Sequence, residues 1–417
     1  MAGDFNQCEL TGSRSVRDCI AMKSERLVDI EGYVHPRFSA VRPALAKQLR
    51  EGGGGASVCV YHRGEVVVDV WGGVSSPESR WDASTMAMSF STTKGVMSTL
   101  VHLLVDEGVL RYDEPVATYW PEFAQHGKER VTVRQLLCHE AGLFSIRSRI
   151  EKADEMLDWS RMTELLASSR PAYEPGSRCG YHAITYGWLI GELIRRVTGS
   201  AIADVVRTRL VEPLGLDGAY IGAPTSEYHR LAMLIRPPQR RPATTFSRRA
   251  TRAVVKVGKA FGAKYDPAFA IDALMPRGAL DFFFSPRVHE VPIPAANGVF
   301  TARSLARMYA MLASGGVLDG ERFISEKTLR EAIRVQRRGV DVVVGFPMRW
   351  RLGYHLVGTT RGVLPYAFGH FGFGGSGAWA DPERNLSVAM TLNRVAGTPF
   401  GDMRMLRLGA AVVQSCS

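Results

Sequence analysis

Apolar and polar positions alternate most clearly near the two ends of the chain. The stretch "ASVCVYHRGEVVVDVWGG" (56–73) holds two β-rich runs around His62-Arg63-Gly64, which predicts a hairpin. "SGAWADPERNLSVAMTLNR" (376–394) predicts a second hairpin, turning at Pro382-Glu383-Arg384-Asn385. Between them the period changes. "HPRFSAVRPALAKQLREGGGG" (35–55) reads as a helix stopped by glycines. In "SFSTTKGVMSTLVHLLVDEG" (89–108), Val96, Leu100, Leu103 and Leu104 keep helical spacing and Gly108 supplies a stop. "TYGWLIGELIRRVTG" (185–199) puts Tyr186, Leu189, Ile190, Leu193 and Val197 on one helical face. Strands at both ends with helices between predict a mixed α/β fold: an antiparallel sheet built from both chain ends, flanked by helices. The expected organisation is a flexible polar tail over 1–28 and one domain over 29–417, with a mainly helical inserted part at about 112–290.

Composition narrows the class. With 417 residues and 46% hydrophobic content, a sizeable core is expected. No apolar run approaches the ~20 residues that a membrane span needs. The first 27 residues contain no continuous apolar segment and do not read as a secretory signal. The six cysteines are scattered without metal-finger spacing, so reduced thiols and a cytoplasmic location are expected. The net charge of +11 is concentrated: ten Lys/Arg and no acid fall in 230–264. Without those ten, 42 basic residues face 41 acidic ones, which removes the main support for nucleic-acid binding.

Candidate chemistry starts at Ser91-Thr92-Thr93-Lys94. A serine hydroxyl needs a base to become a nucleophile, and lysine serves only if its pKa is pulled down. Residues three apart share a helix face, so Ser91 and Lys94 meet the geometric requirement. The helix amino end would also favour a developing oxyanion. The plainer alternative is that Ser91 caps the helix and Lys94 is solvated.

The neighbouring motifs resemble those of the serine β-lactamase and penicillin-binding-protein superfamily, in its class C-like branch with the DD-peptidases and family VIII carboxylesterases. "GEVVVDVWGG" precedes "STTK"; then come "RYDEPVATYWPEF", "VTVRQLLCHEAGL", "EPGSRCGYHAITYGWLIGELIRRVTG", "NGVFTARSLARMYAMLASGG" and "GHFGFGGSGAWADP", in the family's order over roughly residues 30–400. The resemblance implies a β-lactamase/transpeptidase-like fold. It implies Ser91 as nucleophile, Lys94 and Tyr181 as proton carriers, and the N–H groups of Ser91 and Phe373 as oxyanion hole. Tyr181-His182-Ala183 departs from the usual Tyr-x-Asn or Tyr-x-Ser by carrying Ala183. His370-Phe371-Gly372 stands where Lys-Thr-Gly is usual, so His370 is a fourth catalytic candidate, expected to hydrogen-bond Tyr181 and to make the rate sensitive near pH 6–7. Phe371, Gly372 and Gly374 are expected to line the substrate. His139 is expected to be structural. This machinery requires no cofactor, and the histidines show no HExxH or HxH spacing for a metal.

The expected activity is that of a carboxylesterase or lipase-like hydrolase working through an acyl-enzyme on a small-molecule ester or lipid. Ala183, His370 and the missing export signal favour it over a β-lactamase or DD-peptidase. An acyltransferase and a non-catalytic scaffold are the other readings. Within the basic insert 230–264, "FSRRATRAVVKVGKAF" (246–261) projects as a basic amphipathic helix. It would serve as a lid or a peripheral membrane contact, or simply pack its apolar stripe on the body.

Overall fold

The computed structural model describes residues 29–236, 267–274, 276–396 and 403–416. The expected tail 1–28 and the expected helix 246–261 lie outside the described residues.

The strands are β1 (Ile30–Val34), β2 (Gly55–His62), β3 (Glu65–Gly73), β4 (Ala87–Met88), β5 (Ala219–Ile221), β6 (Gly298–Phe300), β7 (Val317–Leu318), β8 (Glu321–Arg322), β9 (Arg337–Val340), β10 (Pro347–Trp350), β11 (His355–Thr359), β12 (Gly362–Phe371), β13 (Gly377–Asp381) and β14 (Leu386–Leu392). Nine of them form one antiparallel sheet in the order β1-β3-β2-β14-β13-β12-β11-β10-β9. Both predicted hairpins are present. Arg63 and Gly64 both take positive φ (56° and 87°), as a tight two-residue turn requires, and Asn385 (φ 45°) closes the second turn. The halves meet where β14 pairs with β2, Val388 opposite Val60 and Met390 opposite Val58. The sheet is therefore built from both chain ends.

Each face of the sheet carries its own core. On one, Val58, Val60, Val68, Val388 and Met390 pack against Val41, Leu45 and Leu49 of the helix Val41–Gly52 and against Met405, Leu408 and Val412 of the helix Met403–Ser415. On the other lies the helix Thr92–Asp106, within a larger cluster that includes the helices Tyr186–Thr198 and Ala302–Ala313.

The helix Thr92–Asp106 is buried from Thr92 to Leu104. A helix sunk this deep must satisfy its polar side chains internally. Ser98 pairs with the Tyr186 hydroxyl at 2.7 Å and Thr99 with that of Tyr354 at 2.8 Å. His102 meets the Leu352 carbonyl at 3.1 Å and the Tyr112 hydroxyl at 2.8 Å. The helix carrying the candidate nucleophile is thus clamped by Tyr186 and Tyr354 from distant segments and by Tyr112 just beyond its own end.

Candidate active site

Ser91 sits just before the helix, in helical conformation and without a side-chain cap hydrogen bond. Its hydroxyl is free for chemistry, so the capping alternative fails. The residue before it, Phe90, takes φ 45°, a left-handed conformation that is costly for a bulky side chain. The Thr93 hydroxyl locks that turn by donating to the Phe90 carbonyl at 2.5 Å and accepting from the Gly298 N–H at 3.0 Å.

Lys94 is fully buried, not solvated. Its Nζ lies 3.0 Å from Ser91 Oγ, 2.6 Å from the Ala183 carbonyl and 2.9 Å from the Ala295 carbonyl. Burial holds its pKa well below the usual lysine value. A neutral amine has two N–H donors and one lone pair. In that neutral form the two carbonyls would take the donors and leave the lone pair for the Ser91 O–H. The site thus places an amine of lowered pKa 3.0 Å from the candidate nucleophile. Ala183, whose methyl replaces a family amide, still grips the lysine through its backbone.

Tyr181 is buried, with its ring 5.0 Å from Lys94 Nζ and its hydroxyl close enough to Ser91 to feel it electrostatically. Burial pushes its pKa up, and only Ser91 pulls it down. Ser91 Oγ thus accepts from Lys94 Nζ at 3.0 Å and has the Tyr181 phenol beside it.

His370, near the end of β12, stacks on Tyr181 with ring centroids 6.1 Å apart. Its Nδ1 lies 3.1 Å from the Phe371 carbonyl and so carries the proton. That makes Nε2 an acceptor, buried and without a partner among the described residues. Burial, with His355 and Lys94 nearby, holds its pKa well below the ordinary value. That direction runs against the expected sensitivity near pH 6–7, and Nε2 makes no hydrogen bond to Tyr181. His139 is packed against Trp350, Tyr181 and His182, and its Nδ1 accepts from the His182 N–H at 3.2 Å. It is structural, as expected.

Neither the Ser91 N–H nor the Phe373 N–H donates to another backbone carbonyl of the described residues. Both remain available to an oxyanion. The expected substrate lining needs correction. A cavity of about 130 Å³ opens at Ser91, lined by Phe90, Ala183, Ile184, Leu274, Ala279, Leu280, Phe283, Phe284, Ala296 and Phe373. Phe371, Gly372 and Gly374 do not line it. Phe371 belongs to the opposite core. A Cβ at Gly372 would stand 2.1 Å from the Ser89 carbonyl oxygen, and one at Gly374 3.0 Å from Val395. These positions are filled by protein. The wall from 274–284 was missed in the sequence, where "ALDFFF" was the available signal.

Among the described residues no cluster of His, Cys, Asp and Glu could hold a metal ion, Cys59, Cys138, Cys179 and Cys416 are free thiols, and no helix is long and apolar enough to cross a membrane.

Comparison with known proteins agrees with this geometry. The family model described as Beta-lactamase matches residues 42–412. The chain is 38% identical over 370 residues to the esterase/beta-lactamase LipL of Mycobacterium tuberculosis, covering 87% of this chain and 83% of that protein. Among solved structures, a family VIII carboxylesterase superposes with a TM-score of 0.79 at 34% identity, covering 93% of this chain and all of the other. A penicillin-binding protein homologue from Caulobacter crescentus gives the same score and coverages at 37% identity.

Proposed function

The chain belongs to the beta-lactamase family and is a serine hydrolase, and from that premise we propose that it hydrolyses carboxylic esters with a small apolar group, through an acyl-enzyme on Ser91. The observation that carries this reading is the Ser91–Lys94 contact of 3.0 Å at the mouth of an apolar cavity. Ser91 Oγ attacks the ester carbonyl while its proton passes to Lys94. The N–H groups of Ser91 and Phe373 receive the negative charge on the carbonyl oxygen. The intermediate collapses, and the departing alkoxide takes a proton from the Lys94–Tyr181 pair. A water molecule then attacks the acyl-enzyme, with the same pair accepting its proton.

The cavity supports an ester over a polar peptide or sugar-linked substrate. Its volume is close to the ~150 Å³ of an apolar cavity that accepts benzene. A second reading, β-lactam turnover, is favoured by the double description of LipL. Competition assays decide between them. Hydrolysis of p-nitrophenyl butyrate should far outpace nitrocefin turnover, and labelling by a fluorophosphonate probe should vanish in Ser91→Ala. Faster nitrocefin turnover would replace the ester reading, and undiminished labelling of Ser91→Ala would remove Ser91 as nucleophile.

A further inference from the structure

We propose that Asp341 is a positioning residue for Tyr181, holding both the backbone and, through Trp350, the ring of the proton carrier. The assignment deepens the proposed mechanism and rests on Tyr181 acting as described there.

Asp341 lies between β9 and β10 and is fully buried. Among the described residues its carboxylate collects four N–H donors and no cation. Oδ1 accepts from the backbone N–H groups of Tyr181 at 3.0 Å, Val343 at 2.9 Å and Val344 at 3.1 Å. Oδ2 accepts from Trp350 Nε1 at 3.3 Å. Trp350 in turn lies parallel to the Tyr181 ring, with centroids 5.7 Å apart and planes inclined by 8°. The edge of His139 closes on both rings, 5.0 Å from Tyr181 and 4.4 Å from Trp350. The Val342 N–H donating to the Cys179 carbonyl at 3.0 Å zips the same loop onto the segment that carries Tyr181.

A buried carboxylate is retained at a cost unless donors compensate it. Here one oxygen fixes the main chain at 181 and the other fixes the plate on which the phenol rests. Position 183 offers only a methyl side chain, so the polar support comes from this loop instead. The phenol's aim matters because sub-ångström misplacement of a proton-transfer group is felt in the rate.

The division between the two oxygens gives the test. In Asp341→Asn the amide oxygen can keep the three backbone donors, while its NH₂ opposes Trp350 Nε1–H. With p-nitrophenyl butyrate, kcat should fall roughly ten- to hundredfold with KM within about twofold, and fluorophosphonate labelling should slow in parallel. Adding Trp350→Phe removes the opposed donor and keeps a stacking ring, so Asp341→Asn/Trp350→Phe should regain part of the lost kcat. A folded Asp341→Asn with kcat within about twofold of the parent overturns the proposal, as does a loss confined to KM or a double variant slower than Asp341→Asn. If Asp341→Asn does not fold, Trp350→Leu should have a kcat about tenfold below that of Trp350→Phe, and equal values overturn the proposal. Tyr181→Phe separates the two layers. An unchanged kcat there defeats the role given to Tyr181, whatever Asp341 does.

Discussion

A lysine buried with no carboxylate in contact among the described residues is pushed toward its neutral form by desolvation. Lys94 takes its character from two backbone groups, those of Ala183 and Ala295, and from complete burial. Its folded pKa lies well below 10.5, so the amine is the working form above that depressed value and is lost as pH falls through it. The ascending limb of kcat/KM against pH should therefore report Lys94. Lys94→Ala should lower kcat/KM by about 10³-fold or more, in the range of a lost general base. Burial lowers the His370 pKa, so His370→Gln should leave the limb where it is while reducing kcat by about tenfold through the lost stacking partner of Tyr181. A pH-rate profile of both variants checks this. A limb that moves with His370→Gln would return the titrating role to the histidine.

At the scale of elements, the short helices Pro267–Leu274 and Ala279–Phe283 roof the cavity, contributing Leu274, Ala279, Leu280 and Phe283. Phe283 packs against Phe90 with ring centroids 5.8 Å apart, and Phe90 against Phe373 at 5.5 Å. Three aromatic rings thus link the roof, the residue before the nucleophile and the oxyanion hole. Truncating the roof should lengthen the preferred acyl chain. Burying one further methylene is worth about 0.8 kcal/mol, close to a fourfold gain in kcat/KM. Phe283→Ala should therefore shift the optimum along a p-nitrophenyl ester series toward longer acids, and an unchanged optimum would place the acyl group elsewhere. This roof was not legible in the sequence, whereas the hairpins and the helix Tyr186–Thr198 were. Arg63-Gly64 and the 3.6-residue period are local signals. The roof acts only through contacts with residues almost two hundred positions away. The same holds for Lys94: its spacing from Ser91 was readable, but its two carbonyl partners have no side-chain signature. Phe373 entered as an oxyanion-donor candidate through resemblance alone, and its neighbouring glycines lie outside the cavity because Gly372 faces the Ser89 carbonyl and Gly374 faces Val395.

Across the whole molecule, the sheet separates stability from chemistry. Ser91, Lys94 and Tyr181 lie on the side of the larger core, and the terminal helices Val41–Gly52 and Met403–Ser415 cover the other face. Leu408 is fully buried there among the side chains of both chain ends. Leu408→Ala should cost about 3 kcal/mol from lost burial and the cavity left behind. The melting temperature should drop by several degrees, while kcat and KM stay near the parent values at a temperature where the variant remains folded. Among the described residues, contacts from the far helix also reach across the divide. Arg404, at the start of the helix Met403–Ser415, donates to the carbonyls of Gly374 and Arg394, next to the turn that carries the Phe373 N–H. Arg404→Ala should therefore behave unlike Leu408→Ala, lowering kcat by more than its effect on melting would suggest. Calorimetry and steady-state kinetics on the two variants test the separation. If Leu408→Ala loses kcat in proportion to its stability, the two faces of the sheet are coupled and the far helices take part in shaping the oxyanion hole.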